Sequence, residues 1–226
     1  MSIPILTYFG FRGLGEPIRL LFEDLGEPFE DRRVGFGAEW EALKPQMQFR
    51  QMPRLETGEL TIFQSQAILR YLARRHGLAG ESEAERLRCD VGVEAARDLQ
   101  QRLWDHFWSP GSDAPEAMQA FEADTLAQQL ELTDAWLGDA PFVGGQRVSF
   151  ADFYFLTVVD EAAAFFPAAV QRLPRLADYR RRMYARPGLA AYAASGRQPT
   201  TFGFDPIRGI RSPLQSPAAQ GSGDGA

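Results

Sequence analysis

The chain has 226 residues, 45% of them hydrophobic, with a formal net charge of −6 and a single cysteine, Cys89. That length supports one large or two modest domains, and no apolar run approaches the roughly 18 residues a membrane-spanning helix needs. One cysteine excludes an internal disulfide and suits a reducing cytoplasm, and basic residues interleaved with carboxylates leave no face for nucleic acid. The opening MSIPILTYFG lacks the basic region and longer apolar stretch of a secretory signal.

In chain order, Ile3 to Tyr8 reads as a short buried strand, followed by a turn rich in glycine (Gly10, Gly13, Gly15). Pro17 sits where a first helical turn tolerates proline, and Leu20, Leu21 and Leu25 form an apolar stripe that stops near Gly26. Pro28 to Val34 can form a second strand, and residues 35–50 read as irregular or partly helical. Met52–Leu55 and Leu60–Phe63 flank the acidic turn Glu56–Glu59 and read as a β-hairpin. Ser65 is then expected to cap a helix carrying Ile68, Leu69 and Leu72 that ends near His76–Gly77. The order βαβ, hairpin, helix predicts a mixed sheet with packed helices over about 80 residues.

From Glu83 onward the pattern is helical. Leu87, Val91, Leu99, Leu103 and Phe107 mark a long helix over 83–108, broken by SPGSDAP at 109–115. Further helices are expected over 116–137, 153–166, 174–185 and 188–194, with Ser149-Phe150-Ala151-Asp152 forming a capping box ahead of the 153–166 run. Residues 1–80 carry ten basic and ten acidic side chains, whereas 81–204 carry twelve and eighteen, which fits two domains. The expected boundaries are 1–79, a linker over 80–86, a helical unit over 87–204, and a disordered Pro/Gly/Ser/Ala-rich tail over 205–226.

Few residues offer chemistry by pattern alone. His76 and His106 give no metal-binding spacing, and there is no phosphate loop or dinucleotide fingerprint. Tyr8 stands out because it closes the first strand ahead of a glycine turn and a helix N-terminus. Ligands bind at the carboxyl ends of strands in open α/β sheets, and helix N-termini favour anions. A tyrosine hydroxyl there can donate to a thiolate; a bond of about 2 kcal/mol lowers a thiol pKa by roughly 1.5 units from about 8.5. A strand-end tyrosine is nevertheless more often a packing residue.

Three separated segments carry a family resemblance. Tyr8-Phe9-Gly10-Phe11-Arg12-Gly13-Leu14 with Pro17-Ile18-Arg19-Leu20-Leu21 resembles the opening of the alpha, mu, pi and sigma glutathione transferases. Gln51-Met52-Pro53 and Leu60 through Leu72 look like that family's glutathione-holding segments, and Phe142–Gly145 leading into Val148–Asp152 resembles its helical capping motif. The resemblance spans residues 3–200. It implies a thioredoxin-like α/β N-terminal domain, an all-α C-terminal domain and a cytosolic homodimer.

It further implies that glutathione is the co-substrate, without a metal, and that Tyr8 stabilises its thiolate. Leu14, Trp40, Lys44, Gln51, Met52, Pro53, Gln64 and Ser65 match glutathione contacts, with Trp40 and Lys44 at the glycine end and Gln64 and Ser65 at the γ-glutamyl end. A cis bond is expected before Pro53. Asp98 aligns with an acidic residue that reaches the partner subunit's glutathione, and Phe49 with an aromatic key inserted into the partner.

Phe9, Phe11, Leu14, Phe107 and Trp108, with Phe202 and Phe204, are expected to line an apolar electrophile pocket. Two departures bear on it: Gly10 would widen the site, and Trp108 stands where mu enzymes carry a second tyrosine. The implied activity is conjugation of glutathione to hydrophobic electrophiles. The alternatives are a non-catalytic ligand-binding relative and a glutathione-dependent isomerase.

Overall fold

The computed structural model describes residues 2–203; the expectations for Phe204 and for the 205–226 tail lie outside that range. The first third forms β1 (Ile5–Phe9), α1 (Glu16–Leu25), β2 (Glu30–Val34), α2 (Ala38–Leu43), two 3₁₀ turns, β3 (Arg54–Glu56), β4 (Thr61–Phe63) and α3 (Ser65–His76). The sheet order is β2-β1-β3-β4. β1 pairs parallel with β2 and antiparallel with β3, and β3 pairs antiparallel with β4, as the hairpin reading requires. Leu6 and Leu55 face each other across β1 and β3, and both are fully buried. The Met52–Pro53 bond is cis.

The remainder is helical: α4 (Glu83–Trp108), α5 (Pro115–Phe121), a π-helical turn, α6 (Ala127–Leu137), α7 (Phe150–Phe165), α8 (Pro167–Gln171), α9 (Pro174–Tyr184) and α10 (Pro187–Ala194). α7 is the central element. Every residue from Phe150 to Ala162 is buried, because α1, α3, α4 and α9 all pack around it. Among the described residues no helix is long and apolar enough to cross a membrane.

The two units are joined by charge as well as by apolar packing. Arg186, just ahead of α10, forms a bidentate pair with Asp24 on α1, both bonds 2.7 Å. The Gly188 backbone lies so close that an added Cβ would sit 2.2 Å from the Glu23 carbonyl oxygen.

One detail corrects the sequence reading. Ser65 is the first residue of α3 and not its cap; Gln64 precedes it at φ 69°, a backbone turn that local propensity does not announce. α4 spans the helix expected over 83–108, and Ser82 and Glu85 form a capping box at its start: Glu85 N–H donates to Ser82 Oγ at 3.2 Å and Ser82 N–H to Glu85 Oε2 at 3.1 Å. Leu87 and Val91 face outward, 63% and 44% exposed, while Cys89, Val93, Ala96 and Leu99 turn inward.

The Ser149–Asp152 box is present and extends beyond its own helix. Asp152 Oδ2 accepts from Ser149 N–H and Oγ, both at 2.8 Å, while Oδ1 accepts from Val143 N–H at 2.8 Å and Tyr179 O–H at 3.2 Å. One buried carboxylate thus ties the 138–149 loop, α7 and α9 together. Removing it strands several buried donors, which costs more than the bonds themselves contribute. Asp152→Ala should therefore lower unfolding free energy by about 2–4 kcal/mol, measured by urea denaturation; a loss below about 0.5 kcal/mol would contradict this role.

Candidate active site

The site grows from the β1–α1 connection. Tyr8 is the penultimate residue of β1 and only 5% exposed. Its hydroxyl oxygen accepts the Leu14 backbone N–H at 2.9 Å. The turn can fold back this tightly only because Gly13 and Gly15 have no side chains. A Cβ on Gly13 would lie 2.6 Å from the Tyr8 hydroxyl, and one on Gly15 would lie 2.4 Å from its ring. Gly13 also takes φ +38°, which favours glycine.

Two buried arginines hold that turn. Arg19 on α1 is fully buried; its guanidinium donates to the Phe9 carbonyl at 2.8 Å, the Phe11 carbonyl at 3.0 Å and Asp31 Oδ1 at 3.0 Å. Arg12 pairs with the buried Asp160 of α7 at 2.8 Å. Neither role could be read from composition, since the partners of a buried charge lie elsewhere in the chain.

Burial pushes the Tyr8 pKa up to about 12, a stronger effect than the opposing pull of the Leu14 N–H and Arg19. The phenol is therefore protonated at neutral pH. With its oxygen lone pair accepting from Leu14, its own proton is left to donate.

Tyr8, Met52, Met47 and Val34 form a small buried cluster, with Phe9, Phe11, Leu14, Trp40 and Phe63 packed against it. This cluster gathers five of the positions expected around Tyr8: Leu14, Trp40, Met52, Phe9 and Phe11. Trp40 meets Phe9 edge-on, ring centroids 5.5 Å apart, and Lys44 Nζ lies 5.8 Å from the Trp40 ring centre while pairing with Glu41 at 3.5 Å. Pro53 is buried beside Met52, and Gln51 before it is exposed. Gln64 is exposed and Ser65 buried at the N-terminus of α3. Asp98 on α4 and Phe49 in the second 3₁₀ turn are both exposed and do not join the Tyr8 cluster; Phe49 is 66% exposed at φ 58°.

Beside Tyr8 opens a cavity of about 370 Å³ whose wall is almost entirely apolar and mostly aromatic. Phe9, Phe11, Leu14 and Trp108 line it as expected, together with Phe202. Phe107 does not. It is fully buried and packs against Phe165, ring centroids 4.3 Å apart. Its place is taken by Trp104, one helical turn before Trp108, and by Phe36 after β2. The i, i+4 spacing of the two tryptophans was the available signal for Trp104. The Trp104 indole N–H is engaged by Glu161 Oε1 at 2.8 Å, so the ring offers the cavity an apolar surface.

Comparison with known proteins agrees with this geometry. Residues 4–74 match the family described as glutathione S-transferase, N-terminal domain, and residues 97–196 match glutathione S-transferase, C-terminal domain. The chain is 34% identical over 203 residues to glutathione S-transferase Mu 1 of Oryctolagus cuniculus, covering 85% of this chain and 91% of that one. It is also 34% identical over 193 residues to glutathione S-transferase P 10 of Caenorhabditis elegans, with the same coverage. The solved structure of the Onchocerca volvulus Pi-class glutathione S-transferase superposes with a TM-score of 0.79 at 32% identity, covering 86% of this chain and 93% of that chain. The chain belongs to the glutathione S-transferase family.

Proposed function

We propose that this protein is a transferase that conjugates glutathione to hydrophobic electrophiles, with Tyr8 donating its hydroxyl proton in a hydrogen bond to the glutathione thiolate. The observation that carries this reading is the Tyr8 hydroxyl itself: protonated, oriented by the Leu14 N–H and set at the edge of an aromatic cavity. Glutathione loses its thiol proton to solvent, the thiolate attacks the electrophile, and the leaving group departs with the electron pair. Rate comes from a stabilised nucleophile held beside its target, with no covalent enzyme intermediate.

In this reading residues 1–79 bind glutathione and share the electrophile site with the helical unit over 87–204, which contributes Trp104, Trp108, Phe202 and Gly203, in a cytosolic enzyme. Lys44 faces the glycine carboxylate beside Trp40. Gln64 and Ser65, at the N-terminus of α3, take the γ-glutamyl end, and Met52 pairs its backbone with the cysteinyl unit ahead of Pro53. The protein works as a homodimer in which Phe49 inserts into the partner and Asp98 reaches the partner's glutathione. The exposed Phe49, Leu87 and Val91 support that assembly.

Three outcomes test it. Wild-type protein should conjugate glutathione to a chloronitrobenzene, and Tyr8→Phe should lose roughly 30-fold in kcat, the worth of a hydrogen bond of about 2 kcal/mol to a charge, while glutathione affinity stays nearly intact. Undiminished turnover in the variant would remove Tyr8 from the mechanism. Lys44→Ala should raise the KM for glutathione roughly five-fold, as expected for a partly exposed charge contact, and leave kcat within about two-fold. Phe49→Ser should shift sedimentation from dimer to monomer; an unchanged dimer would show that the key lies elsewhere.

A further inference from the structure

One buried ion pair lies outside the Tyr8 donor pair yet reaches the same cavity. Arg12 is 6% exposed and Asp160 fully buried, 148 residues apart in the chain, and they meet at 2.8 Å. Asp160 also accepts from Arg180 Nε at 2.5 Å and from the Tyr184 hydroxyl, so it is fixed from three sides within α7 and α9. Arg12 then addresses a third part of the chain. Its Nε donates to the Pro199 carbonyl at 2.9 Å, its backbone N–H donates to the Thr201 carbonyl at 2.8 Å, and its guanidinium lies 5.4 Å from the Phe202 ring centre.

The described segment after α10, residues 195–203, has no regular secondary structure of its own. It nevertheless places Phe202, 2% exposed, and Gly203 in the cavity wall. Gly203 is packed so closely that an added Cβ would meet the Phe11 ring at 3.0 Å.

We propose that Arg12 is a specificity-determining positioning residue, clamping residues 199–203 across the electrophile cavity so that the Phe202 ring forms one wall for a flat aromatic substrate. The proposal rests on the reading of that cavity as the electrophile site. A buried ion pair adds little net stability over an apolar pair of similar volume, because desolvation offsets the Coulomb attraction. What the guanidinium adds is direction: a rigid fork of donors that can address a carboxylate and a backbone carbonyl at fixed angles. Lysine keeps the charge and loses the fork. The same turn carries the Leu14 N–H two residues on, so the clamp closes the cavity without occupying the Tyr8 hydroxyl.

The test is calorimetry of full-length protein with two probes, glutathione and S-benzylglutathione, on wild type, Arg12→Lys, Phe202→Ala and the double variant. Each single variant should weaken S-benzylglutathione binding about ten-fold, the worth of one aromatic contact, and change glutathione binding less than about two-fold. If Arg12 acts through Phe202, the double variant should be no worse than the weaker single one. Multiplying effects, or equal losses for both probes, would overturn the proposal.

Should Arg12→Lys not fold, Phe202→Ala decides alone. S-benzylglutathione should weaken about ten-fold while the Arg12 amide stays protected from hydrogen exchange, and unchanged binding overturns the clamp. Intact discrimination by the wild type without any turnover would count against the conjugation reading and leave the clamp standing. Failure of the wild type to bind either probe would remove both.

Discussion

The structure depends on a constraint in the turn after β1: the chain must fold back until the Leu14 N–H reaches the Tyr8 hydroxyl. That closeness is stabilised from two directions. Arg19 holds the carbonyls of Phe9 and Phe11 from beneath, and Arg12 holds the far side of the turn to α7. Both guanidiniums are buried, so each needs its acceptors in place, and those acceptors belong to β2, α7 and the segment after α10. A short turn thereby ties the sheet unit to the helical unit, and Tyr8 with its cavity sits where the two meet.

The same burial sets the protonation state. A phenol in water titrates near 10, and here removal from solvent outweighs the nearby N–H and cation, raising it to about 12. The consequence favours a donor over a base. A tyrosinate would repel a thiolate, whereas a neutral hydroxyl with its lone pair already engaged presents a proton to it. The surrounding rings strengthen that bond by excluding water. Trp108 supplies an aromatic face to the cavity, and Trp104 turns its one polar atom toward Glu161.

Much of this could be read from the sequence where the signal is local. Strand β1, the glycine turn, the stop at Gly26, the hairpin and the Ser149–Asp152 box follow from short patterns with direct physical causes. The legible part of the site was partly contiguous, Tyr8 with Phe9, Phe11 and Leu14, and partly carried by the family resemblance to the distant Trp40, Met52 and Trp108. What failed needed the third dimension. Phe107 and Trp108 are neighbours in sequence, yet one is core and the other lines the cavity, because the rotation of α4 is set by its packing on α7. Leu87 and Val91 fit a helical stripe, and that stripe faces outward. Arg12 and Arg19 stood inside a recognisable motif without an assignable role until Asp160, Asp31 and the 199–203 segment came into view.

The claim that everything else serves is that Tyr8 works as a neutral hydrogen-bond donor to an ionised thiol. The direct measurement is an ultraviolet titration of the glutathione complex, following thiolate absorbance and tyrosinate absorbance separately, in wild type and Tyr8→Phe. The account predicts a bound thiol roughly 1.5 units below its free value of about 8.5 in the wild type. It also predicts a return toward that value in the variant, with no Tyr8 ionisation below about pH 10. A thiol pKa unchanged by binding, or a tyrosinate forming near neutrality, would contradict it.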